Sequence, residues 1–256
     1  MRHRADPRRT APWARTVVVC IRRYGVYRLP PQPVGHIGRN YLVDRRAEAC
    51  ADHGMAKAMT DGLRDLGLRV KKGGVPDRLC AVKAGVARIG RNGFAYADGC
   101  GSWINIATWR IDAEVEADAP AWESPCPPRC RACLEACPTG AITEPHVTAM
   151  QRCVAYLTYD APHPIDPDLW EHMGPWVYGC DVCQEVCPLN RDAWIEKRPA
   201  PWLESIADLL RPERLAVMDR ETYETTVHPL FWYIPREDLG RWHANARRAA
   251  RAGTQP

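Results

Sequence analysis

The sequence has no long hydrophobic run. No stretch approaches the roughly 18 consecutive apolar residues that a transmembrane helix needs. The apolar run nearest the start, Val17 to Ile21, is also too short for the core of a signal peptide. We therefore expect a cytoplasmic protein that does not enter a membrane.

Common nucleotide and metal-ion motifs are also missing. The glycines of "GHIGRN" (35–40) and "ARIGRNG" (87–93) do not form a G-x-G-x-x-G turn, which argues against a Rossmann site for nicotinamide or flavin. Neither a P-loop nor an HExxH sequence occurs, and the eight histidines are dispersed. The net charge of +4 is a weak indication of a polyanionic partner.

Cysteine, by contrast, is abundant. Eight of the twelve cysteines lie between residues 126 and 187. Such crowding, without a visible export signal, favours metal binding in a reducing compartment over disulfide bonds. The other four are scattered, as is typical of small buried hydrophobic residues, and the last of them lies in a glycine-rich loop: Cys20, Cys50, Cys80 and Cys100.

Two cysteine runs end in the same way. Residues 126–138 read "CPPRCRACLEACP" and residues 180–188 read "CDVCQEVCP". In two-cluster ferredoxins such runs exchange their last ligands, because the cysteine before the proline points toward the other cluster. Cys153, the only cysteine between the runs, completes eight thiolates for two 4Fe–4S clusters. The predicted sets are Cys126, Cys130, Cys133 and Cys187 for the first cluster, and Cys137, Cys153, Cys180 and Cys183 for the second.

Cys126 is the least regular of these ligands. Three residues separate it from Cys130, where two are usual, and Pro127 and Pro128 occupy that gap. Paired C-x2-C sequences also suit tetrahedral zinc, which stays open as an alternative, and disulfides are a third. The C-P endings of both runs favour iron–sulfur clusters.

The predicted fold class is α+β. We expect an N-terminal α/β domain over 1–120, a ferredoxin-like double 4Fe–4S module over 121–195 and a helical segment over 196–256. The first boundary follows from the acidic, proline-rich residues 113–128. Periodicity predicts strands at 17–21 and 103–112, and helices at 41–70, 76–86, 147–158, 166–173 and three more after 201. Arginines of the last helix suit a phosphate backbone or a solvated face: Arg241, Arg247, Arg248 and Arg251.

Three segments resemble those of the epoxyqueuosine reductases. They are "AVKAGVARIGRNGFAYADGCGSWINIATWRID" (81–112), "ACPTGAI" (136–142) and "QRCVAYLTYDAPHPIDPDLWEHMGPWVYGCDVCQEVCPLN" (151–190), within a resemblance that spans about residues 15–250. The reductive dehalogenases share the architecture. The resemblance implies an oxidoreductase of queuosine biosynthesis, in which two 4Fe–4S clusters pass electrons to a cobalamin in the N-terminal domain and an epoxide on a tRNA base is reduced to an alkene.

The resemblance also implies partners and cofactor contacts. The partners are tRNA and a ferredoxin- or flavodoxin-like electron donor. Positions that match the family's motifs near the corrin also suit turns and a buried core. They are Ala84, Gly85, Ile89, Gly90, Arg91, Gly101, Ser102 and Trp103.

The chain departs from the family's pattern at several positions. Lys71 stands where the family has an aspartate proposed as the proton donor, and Asp77 matches a different acidic position, so these two are the candidate catalytic residues. Arg88 replaces a family tryptophan, the N-terminal domain is shorter, and the helical-repeat tail is missing. Two other functions therefore stay open, a dehalogenase-like corrinoid reductase of a small molecule and a ferredoxin-type protein without its own active site.

Overall fold

A computed structural model describes residues 6–252, which form small antiparallel sheets surrounded by short helices. The strands are β1 Thr16–Arg23, β2 Val70–Lys72, β3 Arg88–Ile89, β4 Ala95–Tyr96, β5 Ile104–Ile111, β6 Ile142–Glu144 and β7 Val147–Thr148. The α-helices are α1 Arg39–Leu42, α2 Met55–Asp65, α3 Asp77–Lys83, α4 Ala132–Glu135, α5 Val154–Tyr159, α6 Pro167–His172, α7 Val182–Glu185, α8 Pro201–Glu204, α9 Pro212–Leu215, α10 Arg220–Thr222 and α11 Leu239–Ala252. This content confirms the mixed helix and sheet composition that the sequence predicts.

The front of the molecule is built on a three-stranded sheet in the order β1-β5-β2. β1 and β5 pair antiparallel over their full length, from Thr16 opposite Ile111 to Arg23 opposite Ile104. Their β-branched residues favour extended backbone, and alternate side chains pack on helices above and below the sheet. On one face Ala81 of α3 lies against the sheet, and on the other the indole of Trp109 donates to Thr60 of α2 at 2.9 Å.

The largest buried cluster joins the two ends of the chain. Tyr24 and Trp103 from the front share it with Phe231 and Trp242 from the helical tail. Tyr178, which precedes the second cysteine run, stacks on Trp242 with ring centroids 5.2 Å apart. The tail therefore covers the segment that leads into the second cysteine run. The division into three domains at 120 and 195 stays a prediction.

Two predicted helices are shorter in the structure. The pattern at 41–70 predicts one helix, but residues 43–54 are turns and α2 begins only after Gly54, whose φ of +82° lies in the left-handed region. The predicted helix 147–158 begins at Val154, because Cys153 has extended backbone and Val147–Thr148 pairs with β6. Local periodicity missed both turns, since it does not register the backbone conformation at Gly54 and Cys153. The sequence also predicts that the last helix stops at Gly253, which lies outside the described residues.

The basic surface expected on the last helix is wrong for two of its four arginines, since Arg247 and Arg251 are exposed but Arg241 and Arg248 are not. The guanidinium of Arg248 is buried, donates to the carbonyls of Gly174 and Trp176, and lies 5.0 Å from the centroid of the Trp170 ring. Arg241 is 11% exposed and donates to Asp238 and to the carbonyl of Ala161. These two arginines hold the segment between the cysteine runs onto α11, so they are not available to a phosphate backbone.

No helix among residues 6–252 is long and apolar enough to cross a membrane.

We expect Arg248→Met to destabilise the fold. The substitution removes two charge-assisted hydrogen bonds and leaves the carbonyls of Gly174 and Trp176 without this donor, which costs about 2–3 kcal/mol. Arg247→Met is the matched control, because Arg247 is exposed on the same helix. Denaturant unfolding measures both variants, and equal stabilities would contradict the structural role of Arg248.

Candidate metal centre and adjoining cavity

Four cysteines from both runs surround one pocket beneath the glycine-rich residues 87–103, here called the glycine-rich loop. The pocket is lined by Cys126, Cys130, Cys133 and Cys187, the set that the sequence predicts for the first cluster. Three of them come from the first run, and Cys187 arrives from the second run just before the turn at Pro188. The irregular gap at Pro127 does not displace Cys126 from this pocket.

Hydrogen-bond donors point at the sulfurs of this first pocket. The backbone N–H of Arg91 donates to Sγ of Cys126 at 3.3 Å, and the hydroxyl of Tyr96 donates to Sγ of Cys187 at 3.2 Å. The Arg91 guanidinium also donates to the carbonyl of Cys130. Donors of this kind stabilise thiolate, which is the form that binds iron. The pocket therefore fits an iron–sulfur cluster in both its donor set and its polarity.

The other four cysteines form a second group. Burial raises the pKa of Cys183, and the neighbouring Cys153 and Cys137 raise it further. Burial likewise raises the pKa of Cys180, with Cys183 and Cys153 among the groups that add to it. The backbone N–H of Ala141 donates to Sγ of Cys137 at 3.2 Å. Thiols that repel one another as thiolates need a cation between them, as a metal cluster provides.

The two groups touch. Cys133 of the first group and Cys137 and Cys183 of the second pack in one buried cluster with Leu134 and Ile142. Helix α4 carries Cys133 and α7 carries Cys183, and these two helices pack against each other. The two candidate cluster sites are therefore adjacent, and the cysteine and aliphatic side chains of this buried cluster lie between them.

The cysteines form no disulfides, and all twelve are free thiols. Cys50, one of the scattered four, is buried and its thiol donates to the carbonyl of Val43 at 3.7 Å. Within residues 6–252, no three His, Cys, Asp or Glu side chains are placed to share a single metal ion. Each thiolate of a 4Fe–4S cluster binds a different iron, so the ligands stand further apart than those of one ion.

A large cavity lies on the other side of the glycine-rich loop. Its volume is about 770 Å³, within the range of small-molecule sites. Ser102 and Asp77 line it together with a row of β5 residues that includes Thr108. The hydroxyl of Thr108 donates to the Asp77 carboxylate at 2.7 Å, which fixes the carboxylate at the cavity wall.

The two candidate catalytic residues differ in position. Asp77 lies at the start of α3 and lines the cavity. Lys71 is exposed on β2 and its Nζ donates to the carbonyl of Thr10 at 3.2 Å. The geometry therefore favours Asp77 over Lys71 as a group that could meet a ligand.

The eight residues predicted to contact a corrin are not brought together. Ser102 lines the large cavity, Arg91 lines the first cysteine pocket, and Trp103 is buried in the main core. Ala84 lines a separate groove beside β1, and Ile89 packs against the front sheet. The three glycines have packing roles, since an added Cβ would meet a neighbouring backbone or side chain at Gly85, Gly90 and Gly101.

Sequence reasoning missed three polar residues near the thiols. Tyr96 contacts Cys187, and Asn190 accepts from the backbone N–H of Ser102 at 2.8 Å. Asp181 is buried between Cys180 and Cys183, and burial raises the pKa of its carboxyl to about 7, although the N–H and the charge of Arg39 act in the opposite direction. Asn190 follows the C-P ending of its run and Tyr96 lies in the matched segment 81–112, but no motif marked either.

Comparison with known proteins identifies the cysteine region. Residues 126–190 match the model of a 4Fe-4S double cluster binding domain. The chain is 32% identical over 200 residues to an epoxyqueuosine reductase of Leadbetterella byssophila, covering 73% of this chain and 62% of the relative. It is 38% identical over 117 residues to that of Yersinia pestis, covering 46% of this chain and 28% of the relative. The chain thus spans less than two thirds of the length of these curated relatives.

Solved structures agree on the fold. An epoxyqueuosine reductase from Bacillus subtilis superimposes with a TM-score of 0.76 at 24% identity, over 97% of this chain and 67% of that one. An epoxyqueuosine reductase in complex with a modified tRNA stem loop gives the same TM-score, identity and coverage. These similarities in sequence and in fold confirm the resemblance that the sequence indicates.

A Cys180→Ala variant tests the assignment of the ligands. After anaerobic reconstitution we expect iron to fall from about eight to about four per chain, because one cluster loses a thiolate and the other keeps all four. Iron analysis and electron paramagnetic resonance measure the loss. Cys50→Ala is the control, since this buried thiol lies in neither group. Unchanged iron in Cys180→Ala would contradict the assignment.

Proposed function

We propose that this chain, which resembles the epoxyqueuosine reductases in sequence and in fold, is an iron–sulfur oxidoreductase of the same type. Its substrate would be an epoxide on a modified tRNA base. The observation that supports this proposal most strongly is that eight cysteines form two touching groups beside a large cavity. We propose the ligand sets as Cys126, Cys130, Cys133 and Cys187 for one cluster and Cys137, Cys153, Cys180 and Cys183 for the other.

The arrangement of the groups supports a direction of electron flow. The second group meets the first through Cys133 and Cys183, and Tyr96, which donates to Cys187 of the first group, directly follows Ala95 of the cavity wall. A 4Fe–4S cluster supplies single electrons at each site. A ferredoxin- or flavodoxin-like donor would therefore deliver electrons at the second group, and the reduced species would form at the cavity. Such donors and tRNA support a cytoplasmic location.

The large cavity is the place proposed for a cobalamin. Its lining combines apolar β5 side chains with amides and hydroxyls, such as Asn105 and Ser102, and with charged side chains of both signs, such as Arg78 and Asp77. These polar groups could hold the amide-bearing rim of a flat ligand. When bound, a cobalamin supplies a reduced cobalt that can attack carbon. Of the residues that match the corrin motifs, Ser102 is the one that the cavity wall supports as a direct contact.

Asp77 is the proposed proton donor. Removing an epoxide oxygen as water consumes two electrons and two protons, so the site needs a protonated group near the substrate. The carboxyl group of Asp77 lines the cavity, where its Oδ1 accepts from Thr108, and its Oδ2 is the oxygen that would carry the proton. Lys71 is less suitable because its ammonium group is turned toward Thr10.

A second candidate is an electron-transfer protein without its own substrate. Lys71, which stands at the family's acidic position, is exposed and is not among the residues that line the cavity. The two candidates differ in whether the cavity binds a corrinoid. A dehalogenase-like reaction on a small molecule would use the same cavity and is distinguished by its substrate.

A cobalamin titration separates the two candidates. We expect the reconstituted protein to bind about one corrinoid per chain, with an optical change that saturates. Full iron content without any corrinoid uptake would favour the electron-transfer protein.

Asp77→Asn tests the proton donor. With the corrinoid and both clusters present, we expect turnover of an epoxide-bearing anticodon stem loop to fall about a hundredfold or more, because the amide cannot release a proton. Asp98→Asn is the control, since Asp98 is exposed and paired with Arg88. An Asp77→Asn variant as active as the parent would rule out this role.

A further inference from the structure

Tyr96 is a buried tyrosine that lines the first cysteine pocket, and its chain neighbour Ala95 lines the large cavity. The Tyr96 side chain is 5% exposed and lines the same pocket as Cys187. Gly90 makes room for it, because a Cβ at residue 90 would overlap the tyrosine ring. The loop is therefore shaped around this ring.

The hydrogen bonds around Tyr96 fix the direction of its hydroxyl proton. The Nδ2 of Asn92 donates to the tyrosine oxygen at 2.9 Å. The hydroxyl donates to Sγ of Cys187, 3.2 Å away, and because a sulfur bound to iron carries no proton of its own, the tyrosine is the donor in this pair.

The amide of Asn92 is itself oriented by the backbone. The N–H of Phe94 donates to Oδ1 of Asn92, which turns the amide nitrogen of Asn92 toward Tyr96. The hydrogen bonds therefore run in one direction, from the Phe94 N–H through Asn92 and Tyr96 to the sulfur of Cys187.

We propose that Tyr96 tunes the reduction potential of the cluster held by Cys187 and leaves the potential of the other cluster unchanged. A reduced cluster carries one more negative charge, and a hydrogen bond to a ligand sulfur stabilises that charge. The effect is strong in a buried site, where water does not compete with the hydroxyl.

A higher potential at this position favours the direction of electron flow. The cluster beside the cavity would then draw electrons from the cluster of Cys180 and Cys183, which no tyrosine hydroxyl contacts among the hydrogen bonds of residues 6–252. Tyr96 acts through the cluster and is a positioning residue. The inference rests on the proposed cluster at Cys126, Cys130, Cys133 and Cys187.

Tyr96→Phe tests the proposal by potential as well as by activity. In anaerobically reconstituted full-length protein, followed by electron paramagnetic resonance during a redox titration, we expect one midpoint to move to a more negative value. The other midpoint and the iron content should stay as in the parent. Tyr223→Phe is the matched control, because the buried Tyr223 hydroxyl donates to the carbonyls of Ile234 and Pro235, far along the chain from the thiols.

Gly90→Ala provides a second variant in case Tyr96→Phe does not fold. It displaces the ring without removing the hydroxyl and should lower the same midpoint. Two full clusters with unchanged midpoints in the variants, or equal shifts of both clusters, would overturn the role of Tyr96. A parent protein that fails to bind iron at the first group would instead overturn the proposed function.

Discussion

The exchange of one cysteine between the two runs is the constraint on which the rest of the structure depends. Cys137 of the first run lies with Cys180 and Cys183 of the second run, and Cys187 of the second run lies with Cys130 of the first run. Neither group is complete without the other run. The chain must therefore bring residues about fifty positions apart into contact, and the helices α4 and α7 that carry the thiols pack directly together.

The surrounding fold holds the two cysteine runs in these positions. Asn190 ties the end of the second run to Ser102 in the glycine-rich loop. Arg39 donates from its backbone to Asp181, which anchors the front of the chain to the same run. The helical tail covers the opposite side through Trp242 and Arg248. Contacts from both ends of the sequence thus converge on residues 174–190.

The sequence predicts the thiol groups better than the ligand cavity, for a physical reason. Cysteine spacing constrains a cluster site directly, because the loop length sets which corners of the cluster the thiolates can reach. The strands at 17–21 and 103–112 were also predictable from their β-branched alternation. The positions predicted to contact a corrin do not line one site. Three of them, Gly85, Gly90 and Gly101, instead leave room for atoms of neighbouring residues. Tyr96 and Asp77 acquire their positions from tertiary contacts that no local pattern encodes.

The most direct test of the account is native mass spectrometry of the anaerobically reconstituted chain, with acid-labile sulfide measured in parallel. The account predicts a mass gain that corresponds to two 4Fe–4S clusters, with about eight irons and about eight sulfides per chain. Zinc without sulfide, or a chain that gains one cluster at most, would contradict it.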